Sequence, residues 1–391
     1  MTVPMRLGFL PLADAAPLIV AEAMGFAREE GLALDLVAAP SWASLRELLA
    51  QGGVSAAQML APVPVALSLG LAGPARFEVL SVLNLNGNTV GVSTALADRM
   101  RGQGYGFAFD DARAAGLALL AAAASRLRIG VPFAFSMHLE LLRYWLEALG
   151  RPLPAALEIV TVPPPLMPDA LAAGEVDAFC VGEPRGSVAV DRGAGELLLP
   201  TSAIWAAAPE KVLAARAGWA EEEPDLAGRL IRAVWRAGRW LEQAANLSVA
   251  SELLAAPGRL GVAPEVIERS LSGRLVISPD GQERHVPGFL RFHDGAAGFP
   301  WRSQAAWIGH RLAVRHGLDP VAAQRVAAGV FRSDLHRMHL APAGADLPAA
   351  SARAEGLLSG PTPVTSSRGR LILPADRFFD ARVFDPALPA C

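Results

Sequence analysis

The first hundred residues alternate two hydrophobic patterns. RLGFL at 6–10, LALDLVAA at 32–39, VSAAQML at 54–60 and FEVLSVLNL at 77–85 are short aliphatic runs with the length of strands. Between them the apolar positions take helical spacing. Pro17 sits in the opening turn of PLIVAEAMGFAREEG, with Leu18, Ala21, Met24 and Phe26 on one side and Gly31 as the stop. Ser41 is placed to cap WASLRELLAQG, and Pro62 and Pro64 predict a loop before PVALSLGL. This βαβα order predicts an α/β fold with a mostly parallel sheet.

Residues 91–198 repeat the grammar. IGVPFAFS leads into MHLELLRYWLEALG, where Leu139, Leu142, Trp145 or Leu146, and Leu149 share a helical face. LEIVTVPP and VDAFCVGEP read as strands around the short helix PDALAAG, and the alanine-rich stretch 112–124 is a strong helix former. After about 199 the pattern turns helical. Its clearest segment is PDLAGRLIRAVWRAGRWLEQA at 224–244, and it ends in a proline-rich tail.

A chain of 391 residues is too long for one ordinary core, so two lobes are expected. Hydrophobic residues at 52% and charged residues at 19% describe a folded protein, and a net charge of −3 without basic runs argues against direct nucleic-acid binding. Two cysteines make no disulfide framework, and Cys180 reads as a small buried hydrophobe. No apolar run approaches the roughly 20 residues of a membrane span. At the start, Pro4, Pro11 and Asp14 interrupt any signal-like apolar run, so a cytoplasmic location is expected.

The basic residues number 35, of which one is lysine, leaving 34 arginines. That one lysine is Lys211, in APEKVLAA. A compact ammonium is not interchangeable with a planar guanidinium, so the position is singled out. Phosphate-loop, nucleophile-elbow and zinc motifs are absent, and no cofactor or enzyme activity is expected. His336 and His339 have i,i+3 spacing, but no matching carboxylate or cysteine accompanies them, and they read as solvated helix histidines rather than metal ligands. Polar residues instead gather at strand ends, where open α/β sheets bind ligands: Trp42, Gln58, Asn86 with Gly87, and Glu183 with Arg185.

The phrases GFLPLADAAPLIVAEAMGFAREEGL, PSWASLRELLAQGGVSAAQMLAPVPVAL, VPPPLMPDALAAGEVDAFCVGEP, APEKVLAARAGW and FPWRSQAAWIGHRL come in this order. Together they resemble the nitrate- and bicarbonate-binding proteins of bacterial ABC importers. The resemblance implies a two-lobed, type II periplasmic-binding-protein fold with the ligand in the interlobe cleft. It places lobe one at 1–90 plus 199–391, including a C-terminal helical extension, and lobe two at 91–198. It also implies that Trp42 and Lys211 touch the anion directly and that Asn86 replaces a family glutamine. Val131 stands at the family's histidine position, with His138, seven residues on, as the available substitute. Arg185 replaces the aromatic residue that usually follows GEP.

Nitrate accepts hydrogen bonds only, so Lys211, Gln58, Asn86, the Gly87 N–H and the Trp42 indole form a suitable donor set. Absence of an export signal brings the chain nearest to the cytoplasmic nitrate/nitrite sensors of the NasS type. Their partner is an RNA-binding NasT-like antiterminator with an ANTAR domain, released when nitrate or nitrite closes the cleft. The alternative is the substrate-binding component of a nitrate or bicarbonate importer.

Overall fold

The computed structural model describes residues 2–123 and 126–387. Ten strands carry the architecture: β1 (Val3–Phe9), β2 (Leu32–Ala38), β3 (Ala56–Leu60), β4 (Phe77–Asn86), β5 (Asn88–Ser93), β6 (Arg126–Val131), β7 (Ala156–Thr161), β8 (Ala178–Gly182), β9 (Gly195–Pro200) and β10 (Pro209–Arg216). They form two sheets. One has the order β4-β10-β3-β1-β2, with the short strand Leu290–Arg291 added beside β4. The other has the order β7-β6-β8-β5-β9.

Each sheet holds one strand that breaks the parallel order. β10 runs antiparallel to both β3 and β4, and β5 runs antiparallel to both β8 and β9. The cause is the path between sheets. The chain leaves the first sheet at Asn86 and Gly87, both at positive φ (61° and 92°), and enters the second as β5. It returns through 201–208 into β10. Both sheets are therefore mixed, and the helical pattern expected after 199 begins only beyond a fully embedded strand.

Helices form where the apolar spacing marks them, and local backbone chemistry sets their ends. Ser41 caps Trp42–Ala50, its Oγ accepting from the Ser44 N–H at 3.1 Å. The first helix stops at Ala23, and Gly25 at φ 81° separates it from the short turn Phe26–Glu29. Pro62 and Pro64 form no loop: they open the helix Pro62–Ser68, where a fixed φ is already helical and no N–H is required. Helix Ala112–Ala122 lies in the alanine-rich stretch; residue 124 lies outside the described residues.

The second lobe and the C-terminal region are clasped together. Trp205, in the return crossing, stacks on Phe378 with ring centroids 4.7 Å apart, and Trp307 packs against both. Tyr144, on helix Met137–Ala148, donates to Asp380 Oδ1 at 2.7 Å. Helices fill much of the chain from Trp219 to Leu340, and past helix Ser333–Leu340 the described residues hold turns, bridges and two-residue strands.

Candidate ligand-binding site

Lys211 lies on β10 between the two sheets and is fully buried. The register of β10 against β4 shifts on either side of it. Consecutive strand residues normally face opposite sides; an irregularity of this kind re-aims them. Here it lets Glu210 turn back, so that its Oε1 lies 2.9 Å from Lys211 Nζ.

On the other side of the ammonium stands Asp14, from the single helical turn after β1, with Oδ2 at 2.7 Å. Gln58 of β3 holds that carboxylate: its Oε1 accepts from the Leu10 N–H at 2.8 Å and its Nε2 donates to Asp14 Oδ1. The Trp42 ring covers the ammonium, 5.5 Å from centroid to Nζ, within cation–π range.

The second lobe supplies the facing groups. His138, fully buried in the first turn of Met137–Ala148, places Nδ1 3.3 Å from Glu210 Oε1, too poorly aligned for a hydrogen bond. Asn88, the first residue of β5, lies beside Glu210, within reach of its carboxyl but without a well-aligned hydrogen bond from either amide atom. Gly182 ends β8 where a Cβ would come within 3.3 Å of Asp14 Oδ2 and 3.4 Å of Asn88 Oδ1, so a side chain there would crowd the meeting of the lobes.

Burial dominates the electrostatics. It pushes the Asp14 and Glu210 carboxyls up from the ordinary range, with Lys211 only partly opposing. It pushes His138 well down, helped by Lys211, so this imidazole is neutral. Burial works against the ammonium too, but Asp14 and then Glu210 outweigh it and hold Lys211 above the usual lysine value. The Cys180 thiol nearby is pushed well up by burial and stays protonated.

With both carboxyls ionised, one ammonium faces two carboxylates and the cluster carries a net negative charge. One proton shared between Asp14 and Glu210 makes it neutral. Around it, Trp42 Nε1, both His138 nitrogens, both Asn88 amide atoms and Glu210 Oε2 are buried without a protein partner. Native interiors rarely leave such groups unpaired, and their concentration in one place marks a site for a polar ligand.

The remaining expected residues sit elsewhere. Asn86 donates to the Ala206 carbonyl at 2.9 Å, and Gly87 turns the chain at the crossing. Glu183 faces Thr89 and the Ser187 N–H, at 2.8 and 3.1 Å, away from the ammonium. Arg185 points neither into the cluster nor outward. It donates to the carbonyls of Pro11 and Leu260 at 3.3 and 3.0 Å, joining the lobes. Val131 is buried at the end of β6. His336 is not solvated: it is buried, with Nδ1 3.0 Å from Ser81 Oγ and 3.1 Å from the Leu80 carbonyl. Among the described residues there is no group of three or more potential metal ligands and no helix long and apolar enough to cross a membrane.

Residues 2–255 match the model of the NMT1-like family. The chain belongs to that family. Within it the similarity runs to the nitrate- and bicarbonate-binding group. The chain is 30% identical to the nitrate/nitrite binding protein NrtA of Synechococcus elongatus, over 98% of its own length and 84% of that protein's. It is 31% identical to the nitrate import ATP-binding protein NrtC of Synechocystis sp., over 79% of its own length and 45% of that protein's. The chain thus spans about half the length of the ATP-binding relatives it matches. Among solved structures, the periplasmic nitrate-binding protein NrtA from Synechocystis PCC 6803 superposes with a TM-score of 0.83 at 26% identity, covering 98% of this chain and 96% of that one. The fold is therefore the type II two-lobed binding-protein fold, and both the NrtA relative matched over most of its length and the NrtA structure are named as binding proteins.

Three residues of the cluster escaped the sequence reading: Asp14, Asn88 and Glu210. Glu210 had the best signal, standing next to the only lysine in a run that is otherwise wholly apolar. Asn88 sat one residue beyond a turn already noted. Asp14 lies in LADAAP, where no periodicity marks it.

Proposed function

We propose that this chain is the solute-binding component of an importer for a small monovalent oxyanion, with nitrate or nitrite as the ligand held between lobe one (1–90 with 199–391) and lobe two (91–198). The observation that carries this reading is the buried Lys211 ammonium beneath Trp42, ringed by polar groups without partners. Such an anion takes its charge partner from Lys211 and hydrogen bonds from Trp42 Nε1, Asn88 Nδ2 and His138. Family relatives named for nitrate import support the choice of anion. One relative is named for nitrate import and the other for nitrate/nitrite binding, and this reading takes the place of the cytoplasmic sensor with a NasT-like partner expected from the sequence.

Entry of the anion has an electrostatic condition. Lys211 already faces two carboxylates, and a third negative charge at the same ammonium is opposed in a low-dielectric site. Protonation of Asp14 or Glu210 on binding removes that opposition. The anion and one proton then enter together, and affinity rises as pH falls.

Calorimetry with nitrate, nitrite and bicarbonate tests the reading. Nitrate or nitrite should bind the wild-type chain, and Lys211→Met, which keeps the side-chain volume, should lose binding at least a hundredfold. Unchanged nitrate affinity in that variant would falsify the assignment. Binding of bicarbonate alone would move the ligand to an anion whose O–H can donate to Glu210 or Asp14.

A further inference from the structure

A cavity of about 1220 Å³ lies apart from the Lys211 cluster. Its walls come from the loop before helix Ala112–Ala122, from the return crossing at 200–206, from helix Pro224–Leu241, and from the segments around 284–299 and 370–375. It therefore touches both lobes, the crossing between them and the C-terminal region. Its volume exceeds the usual range for small-ligand pockets, roughly 300–1,000 Å³, and is far beyond a nitrate-sized ion.

Four arginines line it: Arg239 and Arg370 at the rim, Arg284 and Arg291 deeper in. None of the four forms an ion pair among the described residues. Many other guanidiniums of this protein are placed otherwise; Arg232, Arg269 and Arg332, for instance, each meet a carboxylate within 3 Å. Arg239 instead lies 4.8 Å above the Trp235 ring, and the Arg291 Nε is buried without a partner. Three carboxylates share the lining, Asp110, Asp294 and Asp346, but Asp346 is occupied by the backbone N–H groups of Arg368 and Arg370, at 2.7 and 2.9 Å. Trp235, Phe109 and Phe299 add an apolar, aromatic wall.

Two further observations tie the cavity to the hinge. The Ala206 carbonyl accepts from Arg291 Nη2 at 2.6 Å and from the crossing residue Asn86 at 2.9 Å. The loop in lobe two is held in a costly conformation: Phe107 and Phe109 have φ of 52° and 72°, rare for bulky residues, and Arg284 donates to the Phe107 carbonyl at 3.1 Å.

We propose that this cavity is a second ligand site, for an organic anion of metabolite size bearing two acidic groups on an apolar aromatic body, and that its occupation alters closure of the Lys211 cleft. Guanidinium forks without carboxylate partners suit paired acidic groups, and the aromatic wall suits the body between them. Arg291 and Ala206 give the ligand a direct hold on the crossing at Asn86.

The probe is naphthalene-1,5-disulfonate, titrated into the full chain by calorimetry. It should bind at micromolar to sub-millimolar concentration. Arg284→Gln with Arg370→Gln, folded by circular dichroism, should weaken it at least tenfold, while Lys211→Met leaves it unchanged. A saturating amount should change the nitrate Kd severalfold. No binding at millimolar concentration, equal binding by the uncharged 1,5-bis(hydroxymethyl)naphthalene, or undiminished binding by the double variant overturns the site. Loss in Lys211→Met places the probe at the Lys211 cluster and overturns it equally. An unaltered nitrate Kd, with the disulfonate bound, overturns the link to closure. This experiment succeeds or fails independently of the anion assigned to Lys211, because the disulfonate arm contains no nitrate.

Discussion

Asp14 and Glu210 give the lysine its character, because they set what must happen before another anion can use it. Their carboxyls are pushed up by burial and share one ammonium. If a proton enters with the anion, nitrate affinity should rise as pH falls from 8, by up to tenfold per pH unit. Asp14→Asn should bind nitrate more tightly at pH 8 and show a flatter pH profile. A wild-type Kd constant between pH 6 and 8 with no proton uptake in calorimetry would remove the coupling. His336 makes the opposite kind of prediction. Burial drives its pKa down from 6.5 to about 4. A depressed folded value means the unfolded chain binds the proton first, so stability from this residue is full above pH 6.5 and is lost as pH falls toward 4. The loss amounts to about 3 kcal/mol, readable by urea unfolding at pH 7 and pH 4, and His336→Asn should reduce that difference. At this scale the sequence marked Lys211 by its rarity and Trp42 by the family motif, while His138 entered only through its closeness to Val131. It hid Glu210, because a strand irregularity is invisible in the residues, and it misread His336, whose surroundings come from β4, some 255 residues away.

Elements were legible wherever one face is apolar and an end is chemically marked. Ser41 caps as its hydroxyl dictates, and Ser41→Ala should cost about 1 kcal/mol in urea unfolding without touching the Lys211 cluster. Prolines misled in one place only, at 62 and 64, since the same fixed φ serves a loop and a first helical turn. The antiparallel insertion of β10 and β5 was not legible at all. Direction in a sheet follows from where the chain crosses between lobes, and that crossing is written only in Asn86 and Gly87. The C-terminal region was equally silent, because its anchoring is by single rings rather than by periodic faces. Phe378 packs against Trp205, Trp307 and Tyr144 at once. Phe378→Ala should therefore cost about 3–5 kcal/mol, as for other buried aromatic truncations, and a loss below 1 kcal/mol would show that the clasp is ornamental.

At the scale of the molecule, the two lobes are held together by contacts outside the ligand cluster. The Ala13 N–H donates to the Glu183 carbonyl at 2.9 Å, and Arg269 pairs with Asp191 at 2.6 Å. Arg185 reaches from the second lobe to Pro11 and Leu260. Binding in a cleft of this kind is coupled to closure: an anion at Lys211 meets His138 and Asn88 only when the lobes are together, so the closed population sets the apparent affinity. Arg185 is the member of this set whose removal leaves the cluster intact, since its guanidinium touches carbonyls and no cluster side chain. Hydrogen bonds from a charged donor contribute about 1.5–3 kcal/mol, and 1.4 kcal/mol is a tenfold change in an equilibrium. Arg185→Ala should thus weaken nitrate binding by about tenfold or more while leaving the fold and the pH dependence of binding as they are. Small-angle scattering should show a larger radius of gyration for the free variant than for the free wild type, and the two should converge when nitrate saturates both. Equal radii in the free state, with affinity unchanged, would mean that closure is governed by the cluster itself, and Arg185 would then be a local strut rather than a latch.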